Sequence, residues 1–389
     1  MSLSERQKNA AHRLGQDVCV VAGPGSGKTS VLIERFSWLV SQQGVDPGRI
    51  LAITFTDKAA TEIKDRMVRA FAHAPLIREQ IERAYVSTIH GFCARLLREN
   101  AIIATIDPQF QVLEQPGKLL RQVADDVLEG IYNEQPDRMR RFLRSLAVLE
   151  KESQWVPDLA SSLITIYQAM RMAGTDFRSA QLTSVPVPYA PLGDLAKAVL
   201  TEGRLHTSKD LHFEYLEWCR DVVDMPPQPS RRWFELLDRA NFNMNQLPRK
   251  SVAYSSQRAV REAAEALRAH MLIEYYADER ELIVQSLGQI DVTYRIRKRQ
   301  QSALDFDDLE EFAIRLLESE HELRQRVQSG FDHILMDELQ DTNPLQWKLL
   351  RLIRRPDAFF AVGDINQSIF GFRHAEPELF AAYRAELGN

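Results

Sequence analysis

Cysteine is scarce in this chain: Cys19, Cys93 and Cys219 are the three thiols in 389 residues, and no two share the C-x-x-C spacing. That excludes a disulfide framework, a zinc ribbon and a dithiol redox centre, and leaves three reduced, small apolar residues. Long hydrophobic runs are missing as well, so no segment reaches the length of a membrane span. The N-terminal stretch MSLSERQKNAAHRLGQ is polar and charged, without the apolar core of a secretory leader. The expectation is a cytoplasmic protein with no membrane partner. There is no internal repeat and no low-complexity tract. Neither sign of charge dominates: 49 Lys and Arg stand against 54 Asp and Glu, a net charge of -5. A uniformly basic nucleic-acid coat is thereby excluded, while a local basic groove is not. What is present, 44% hydrophobic and 26% charged residues, is the composition of a folded globular chain. Its length suits about two or three domains.

Five short apolar runs stand out: VCVVAG (18–23), ILAITFT (50–56), AYVSTIH (84–90), HILMDE (333–338) and AFFAVGD (358–364). Each is nearly continuous rather than alternating, as parallel strands covered on both faces require. Each ends in small, polar or charged residues, and in an open α/β sheet those carboxyl ends form the ligand crevice. Helical stripes follow: Leu32, Phe36, Leu39 and Val40 after the first run, Ala59, Ile63, Met67 and Ala70 after the second, GFCARLLREN after the third. From 111 to 302 the apolar spacing is helical and strand signals are few. The expected fold is α/β, with a central parallel sheet built from 1–110 and 303–389 and an inserted all-helical subdomain, 111–302. Two proline-rich stretches inside the insertion, 183–193 and 224–233, read as loops.

The first run leads into AGPGSGKTS. Glycines at 23, 25 and 27 free the backbone N–H groups to turn onto phosphate oxygens, Lys28 supplies a point charge to the outer phosphates, and the Thr29 hydroxyl suits Mg²⁺. The loop that would cradle the nucleotide is Ala22, Gly23, Pro24, Gly25, Ser26, Gly27, Lys28, Thr29 and Ser30, with Ala22 where the strict pattern has glycine. Far along the chain, ILMDE supplies the matching acids: Asp337 to hold Mg²⁺, and Glu338 to orient and deprotonate a water. Taken alone, an Asp-Glu pair after an apolar run fits a helix cap equally well; together with the glycine loop it points to a triphosphate. The final run opens into VGDINQSIFGFRHA, where Gln367 stands, by analogy with other nucleotide motors, to sense the γ-phosphate or, more plainly, is a surface amide.

With these residues assembled, the chain resembles the UvrD/Rep-type superfamily 1 DNA helicases, including the helicase-nuclease branch of RecB and AddA. Seven motifs occur in the family's order: LSERQKNAA, AGPGSGKT, ITFTDKAATEIKDRM, STIHGFC, LDFDDL, MDELQDTN and VGDINQSIFGFRHA. The resemblance implies a RecA-like P-loop domain, ATP and Mg²⁺ as cofactors, and an ATP-driven motor acting on single-stranded DNA and ss/ds junctions in repair or recombination. A nuclease or helicase subunit is an implied partner. Gln7 would read the adenine, and Gln367 would couple hydrolysis to movement. Phe55, Thr56, His90, Phe372 and Arg373 match positions where the family touches or stacks on the strand, and stacking is a grip that any base satisfies. Two departures bear on this: Ser30 stands where compact members have an arginine near the base, and Asp57 where many have asparagine. TIHGFC, LDFDDLEEF and the long insertion lean toward AddA and RecB.

Plainer readings accompany several of these residues. Phe55 and Phe372 also suit a hydrophobic core. His90 also suits a hydrogen-bonded strand end. Asp305 in LDFDDL reads as a helix N-cap, and Arg295, Arg297, Lys298 and Arg299 as a solvated helix face. A catalytically silent nucleic-acid-binding subunit is the alternative function, disfavoured by the complete hydrolytic set; a P-loop kinase is disfavoured because no phosphoacceptor pocket is visible. The family cleaves ATP between two RecA-like domains, and the chain ends at Asn389. Arginines supplied in trans are worth about 10³–10⁵ in rate, so the expectation is a piece of a longer or split motor that alone binds nucleotide weakly and hydrolyses it poorly.

Overall fold

In the computed structural model, residues 3–23, 25–113, 115–149, 158–174, 177, 189–202, 209–225, 228–240, 252–364 and 383 are described. The strands are β1 (Val18–Val21), β2 (Ile50–Thr54), β3 (Tyr85–Thr88), β4 (Gln111–Val112), β5 (Ala303–Leu304), β6 (His333–Met336) and β7 (Phe359–Gly363). All five apolar runs are therefore strands. They form one sheet in the order β1-β7-β6-β2-β3, and every pairing is parallel. Burial follows position. β2 and β7 are buried throughout, whereas β1 and β3, at the two edges, are only partly covered.

Successive strand residues point to opposite faces, and the two faces build two cores. On one, Leu51, Ile53, Ile334, Met336, Phe359 and Ala361 pack beneath the helices Ile89–Glu99, Phe306–Ser319 and Pro344–Ile353. On the other, Ile50, Ala52, Leu335, Phe360 and Val362 pack beneath Lys28–Gln42 and Asp57–Ala70. The chain has the α/β, central-parallel-sheet architecture expected of a RecA-like domain, with helices added. β4 and β5 were not foreseen. They pair parallel, Gln111 with Ala303 and Val112 with Leu304, so they join the two points between which the helical stretch runs.

Contacts divide the chain into two compact units: 1–133, 154–177 and 289–389, which carries the sheet, and 134–153 with 178–288. The second is helical among its described residues and has its own core, including Tyr215, Trp218, Trp233, Leu267 and Met271. Trp218 Nε1 donates to the Leu236 carbonyl at 2.8 Å, satisfying its one polar atom. The proline-rich stretches are not loops throughout: a helix already begins at Tyr189, and Ser230 N-caps another at Arg231–Asp238. Among the described residues, no helix is long and apolar enough to cross a membrane.

Within the sheet unit, LDFDDL does more than cap. Asp305 and Asp308 form a reciprocal capping box at the start of Phe306–Ser319, and both are also buried in an ion network. The guanidinium of Arg171, 1% exposed, donates to Asp305 at 3.0 Å, Asp308 at 3.0 Å and Glu311 at 2.9 Å. Lys298 Nζ lies 2.7 Å from Asp305, and Arg295 bridges Asp291 and Glu311, each at 2.8 Å. The basic cluster is thus only partly a solvated face: Arg299 is exposed, but Lys298 is 2% exposed, because Asp305 and Asp308, buried at the start of the next helix, pair with it.

Carboxylates crowd this network, and burial with like charge nearby pushes both Asp307 and Asp308 up. Burial, with Asp305 and Glu310 nearby, pushes Asp307 up to about 7, although Arg171 pulls the other way. Its folded state then holds a proton that the unfolded chain releases near pH 4, so the stability Asp307 contributes falls as pH rises toward 7. Asp307→Asn is expected to gain on the native protein between about pH 5 and about pH 8 in urea midpoint. A gap that narrows over that range would contradict this.

Candidate functional site

The site forms at the carboxyl ends of β1, β7 and β6, which lie side by side. After β1, Ala22 N still donates to the Gly363 carbonyl of β7 at 3.2 Å before the chain leaves the sheet. The loop then turns on Gly25 (φ 70°) and Gly27 (φ 80°), left-handed conformations in which a side chain would be strained. Ser26 Oγ donates to the Gly23 carbonyl at 2.6 Å and closes the turn. A Cβ at Gly23 or Gly25 would meet no atom within 4 Å, so this side of the loop has room for a ligand. Gly27 is the N-cap of Lys28–Gln42 and offers no side-chain cap, which leaves the first N–H groups of that helix for an anion.

Gln7 braces the loop from outside. Its Nε2 donates to the Ser26 carbonyl at 2.7 Å, and its Oε1 accepts from Ser4 N at 2.7 Å in a capping box. Arg35, 2% exposed, holds the same N-terminal helix against Lys28–Gln42 by donating to the carbonyls of Ala11 and Arg13. Burial lowers this guanidinium to about 10, and the rings of Trp38 and Phe360 flank it at 5.6 and 5.4 Å.

Lys28 and the acidic pair, 310 positions apart, meet. Lys28 Nζ donates to Glu338 Oε2 at 2.7 Å, and Thr29 Oγ1 donates to Asp337 Oδ2 at 3.1 Å. Lys28 is 8% exposed, and a lysine this buried requires a partner. Glu338 holds a left-handed backbone (φ 54°, ψ 44°) between β6 and a one-turn 3-10 helix, Leu339–Asp341. That conformation costs a residue with a Cβ about 1–3 kcal/mol, and the turn aims the carboxylate at the lysine. Burial pushes Asp337 up to about 6, and the Glu338 charge adds to this, while the Thr29 hydroxyl pulls it back.

Among the described residues, no cluster of three or more His, Cys, Asp or Glu could hold a metal by itself. Thr29 and Asp337 offer two hard oxygens, the kind and number of ligands a protein gives Mg²⁺ when phosphate and water supply the rest. The donor set fits a Mg²⁺-nucleotide.

Sequence reading missed Gln340. Its Nε2 donates to Glu338 Oε2 at 2.7 Å, and its Oε1 accepts from Asp364 N at 2.8 Å, tying the acid to the end of β7. The signal was only an amide inside DELQDTN, indistinguishable from a surface residue before the fold is known.

At the ends of β2 and β3, Phe55 is half-buried and packs on the first core. The Thr56 hydroxyl N-caps Asp57–Ala70 by accepting from Ala59 N at 3.1 Å. His90 is about a third exposed; its Nε2 lies 3.0 Å from Glu310 Oε1, and its ring meets Phe306 at 4.6 Å between centroids. Phe306, first in its helix and 45% exposed, is an aromatic the sequence reading passed over inside LDFDDL. Pro24, Gln367, Phe372 and Arg373 lie outside the described residues.

The family model of the UvrD/REP helicase N-terminal domain matches residues 3–387. The chain belongs to that family. Among curated relatives in it, an ATP-dependent helicase/nuclease subunit of Staphylococcus carnosus (strain TM300) is 28% identical over 440 residues, covering 97% of this chain and 36% of its own length. The same-named proteins of Staphylococcus aureus strains USA300 / TCH1516 and MRSA252 are 27% identical over 448 residues and 28% over 441, with the same two coverages. The chain therefore spans about a third of the length of the curated relatives it matches, and those relatives are, by name, of the helicase-nuclease branch toward which the motifs lean.

Proposed function

We propose that this chain is the N-terminal motor part of an ATP-dependent DNA helicase or translocase that acts on single-stranded DNA in repair or recombination, alongside a nuclease or helicase partner. In this reading 1–110 and 303–389 are the first RecA-like motor domain and 111–302 is the inserted helical subdomain. The observation that carries it is the meeting of Lys28 with Glu338 and of Thr29 with Asp337 at the strand ends, beside a loop with open space and an uncapped helix start.

The assignments follow from the chemistry. Backbone amides of Gly25, Gly27, Lys28 and Thr29 and the Lys28 ammonium bind the phosphates, Lys28 exchanging Glu338 for a phosphate oxygen. Thr29 and Asp337 hold Mg²⁺, which when bound neutralises charge on the phosphate oxygens. Glu338, released by Lys28 yet still held by Gln340, orients a water and accepts its proton at the carboxylate. Gln7 stands beside the loop for the adenine. Gln367 is assigned the coupling of phosphate loss to movement, and Phe55, Thr56, His90, Phe372 and Arg373 the strand, with Phe306 added as a further exposed ring next to His90.

The strand assignment is tested by titrating a fluorescent single-stranded oligonucleotide across a salt series. Each phosphate neutralised should contribute a slope of about -0.7 to log K against log salt. Affinity that ignores salt, or no binding at low salt, would count against a DNA-tracking groove.

A further inference from the structure

Glu310 is 2% exposed, and a carboxylate that deep needs partners. The two that meet it come from opposite directions. His90 Nε2 lies 3.0 Å from its Oε1, and Gln346 Nε2 donates to the same oxygen at 2.8 Å. Gln346 is in turn locked by a capping box: its Oε1 accepts from Asn343 N, and Asn343 Oδ1 accepts from Gln346 N at 2.8 Å. That box starts Pro344–Ile353, the helix entered directly from the turn that follows the acidic pair. One buried oxygen thus fastens an imidazole in the first turn of the helix after β3 to the segment leaving the Asp337–Glu338 corner.

A carboxylate at Nε2 also fixes the imidazole chemically. It accepts only from a protonated nitrogen, so it favours a proton on His90 Nε2, with the ring turned against Phe306. An apolar side chain of similar length placed there would present no acceptor and would not choose the tautomer.

We propose that Glu310 is a positioning residue: it sets the tautomer and orientation of His90 for the nucleic-acid strand and, through Gln346, links that imidazole to the nucleotide corner. This rests on the function proposed above, and the test separates the two. The full chain, labelled with ¹⁵N at histidine, is compared with Glu310→Met, Gln346→Ala and His90→Ala, each first checked for a native-like melt. In the native chain His90 should show the Nε2–H tautomer pattern and shift when a non-hydrolysable Mg²⁺-ATP analogue is added. Glu310→Met should lose the single-tautomer pattern and weaken single-stranded oligonucleotide binding about tenfold, matching His90→Ala, with the double variant no worse than either. Gln346→Ala, which leaves the carboxylate in place, should keep the tautomer but lose the nucleotide-induced shift. An unchanged His90 pattern in Glu310→Met overturns the proposal, as does a nucleotide shift that survives in Gln346→Ala. If His90→Ala weakens oligonucleotide binding and Glu310→Met does not, the positioning role fails while the strand assignment stands. If neither weakens it, the strand assignment fails and the proposal falls with it.

Discussion

Arg171→Met is expected to lower the unfolding free energy by about 3–5 kcal/mol in urea titrations near neutral pH, the cost of removing one side of a buried ion network. The guanidinium, 1% exposed, satisfies Asp305, Asp308 and Glu311 at once. Burial alone would lower it, yet Asp305 and Glu311 hold it well above its ordinary value. Without it, three carboxylates share what Lys298 and Arg295 provide. The loss should shrink in acid, as the stranded carboxylates take up protons. Arg171→Lys should fall between, since a single ammonium cannot reproduce three forked bonds. A methionine variant within about 1 kcal/mol of the native protein would show that the network contributes little.

Lys28→Ala is expected to weaken Mg²⁺-dependent binding of a fluorescent ATP analogue by about 10- to 100-fold, the scale of a lost charge-assisted contact. Glu338→Gln should do the opposite. In the structure Glu338 occupies the lysine at 2.7 Å, and a neutral amide releases it, so this variant should bind at least as tightly as the native chain while losing hydrolysis. Equal weakening by both substitutions would mean that the pair only supports the fold and the phosphate assignment is misplaced.

The five principal strands could be read from the chain because each is a compact apolar run with a polar end, and both signals are local. Lys28 and the acidic pair it meets stood out for the same reason: Lys28 follows a glycine loop, and Asp337 and Glu338 end a strand. β4 and β5 could not be read, since two residues carry no periodicity. Arg171 was equally hidden, because its partner Asp305 lies 134 positions away and nothing near Arg171 marks it as buried. The run from Arg295 to Arg299 looked like a wet helix face, and only the acids of the following helix show why Lys298 is inside. Glu310 and Gln340 act through side chains brought to them by the fold, so a lone acid and a lone amide gave no hint of either role.

β4 and β5 also work as a splice point. Gln111 and Val112 lie beside Ala303 and Leu304, so the exit and re-entry of the chain are stitched at strand spacing, about 4.8 Å. Closing a loop costs only about 0.6 kcal/mol more for each doubling of its length. Relatives could therefore trade the intervening helices for longer or shorter ones with little strain on the sheet, provided that an arginine equivalent to Arg171 still returns to its acids.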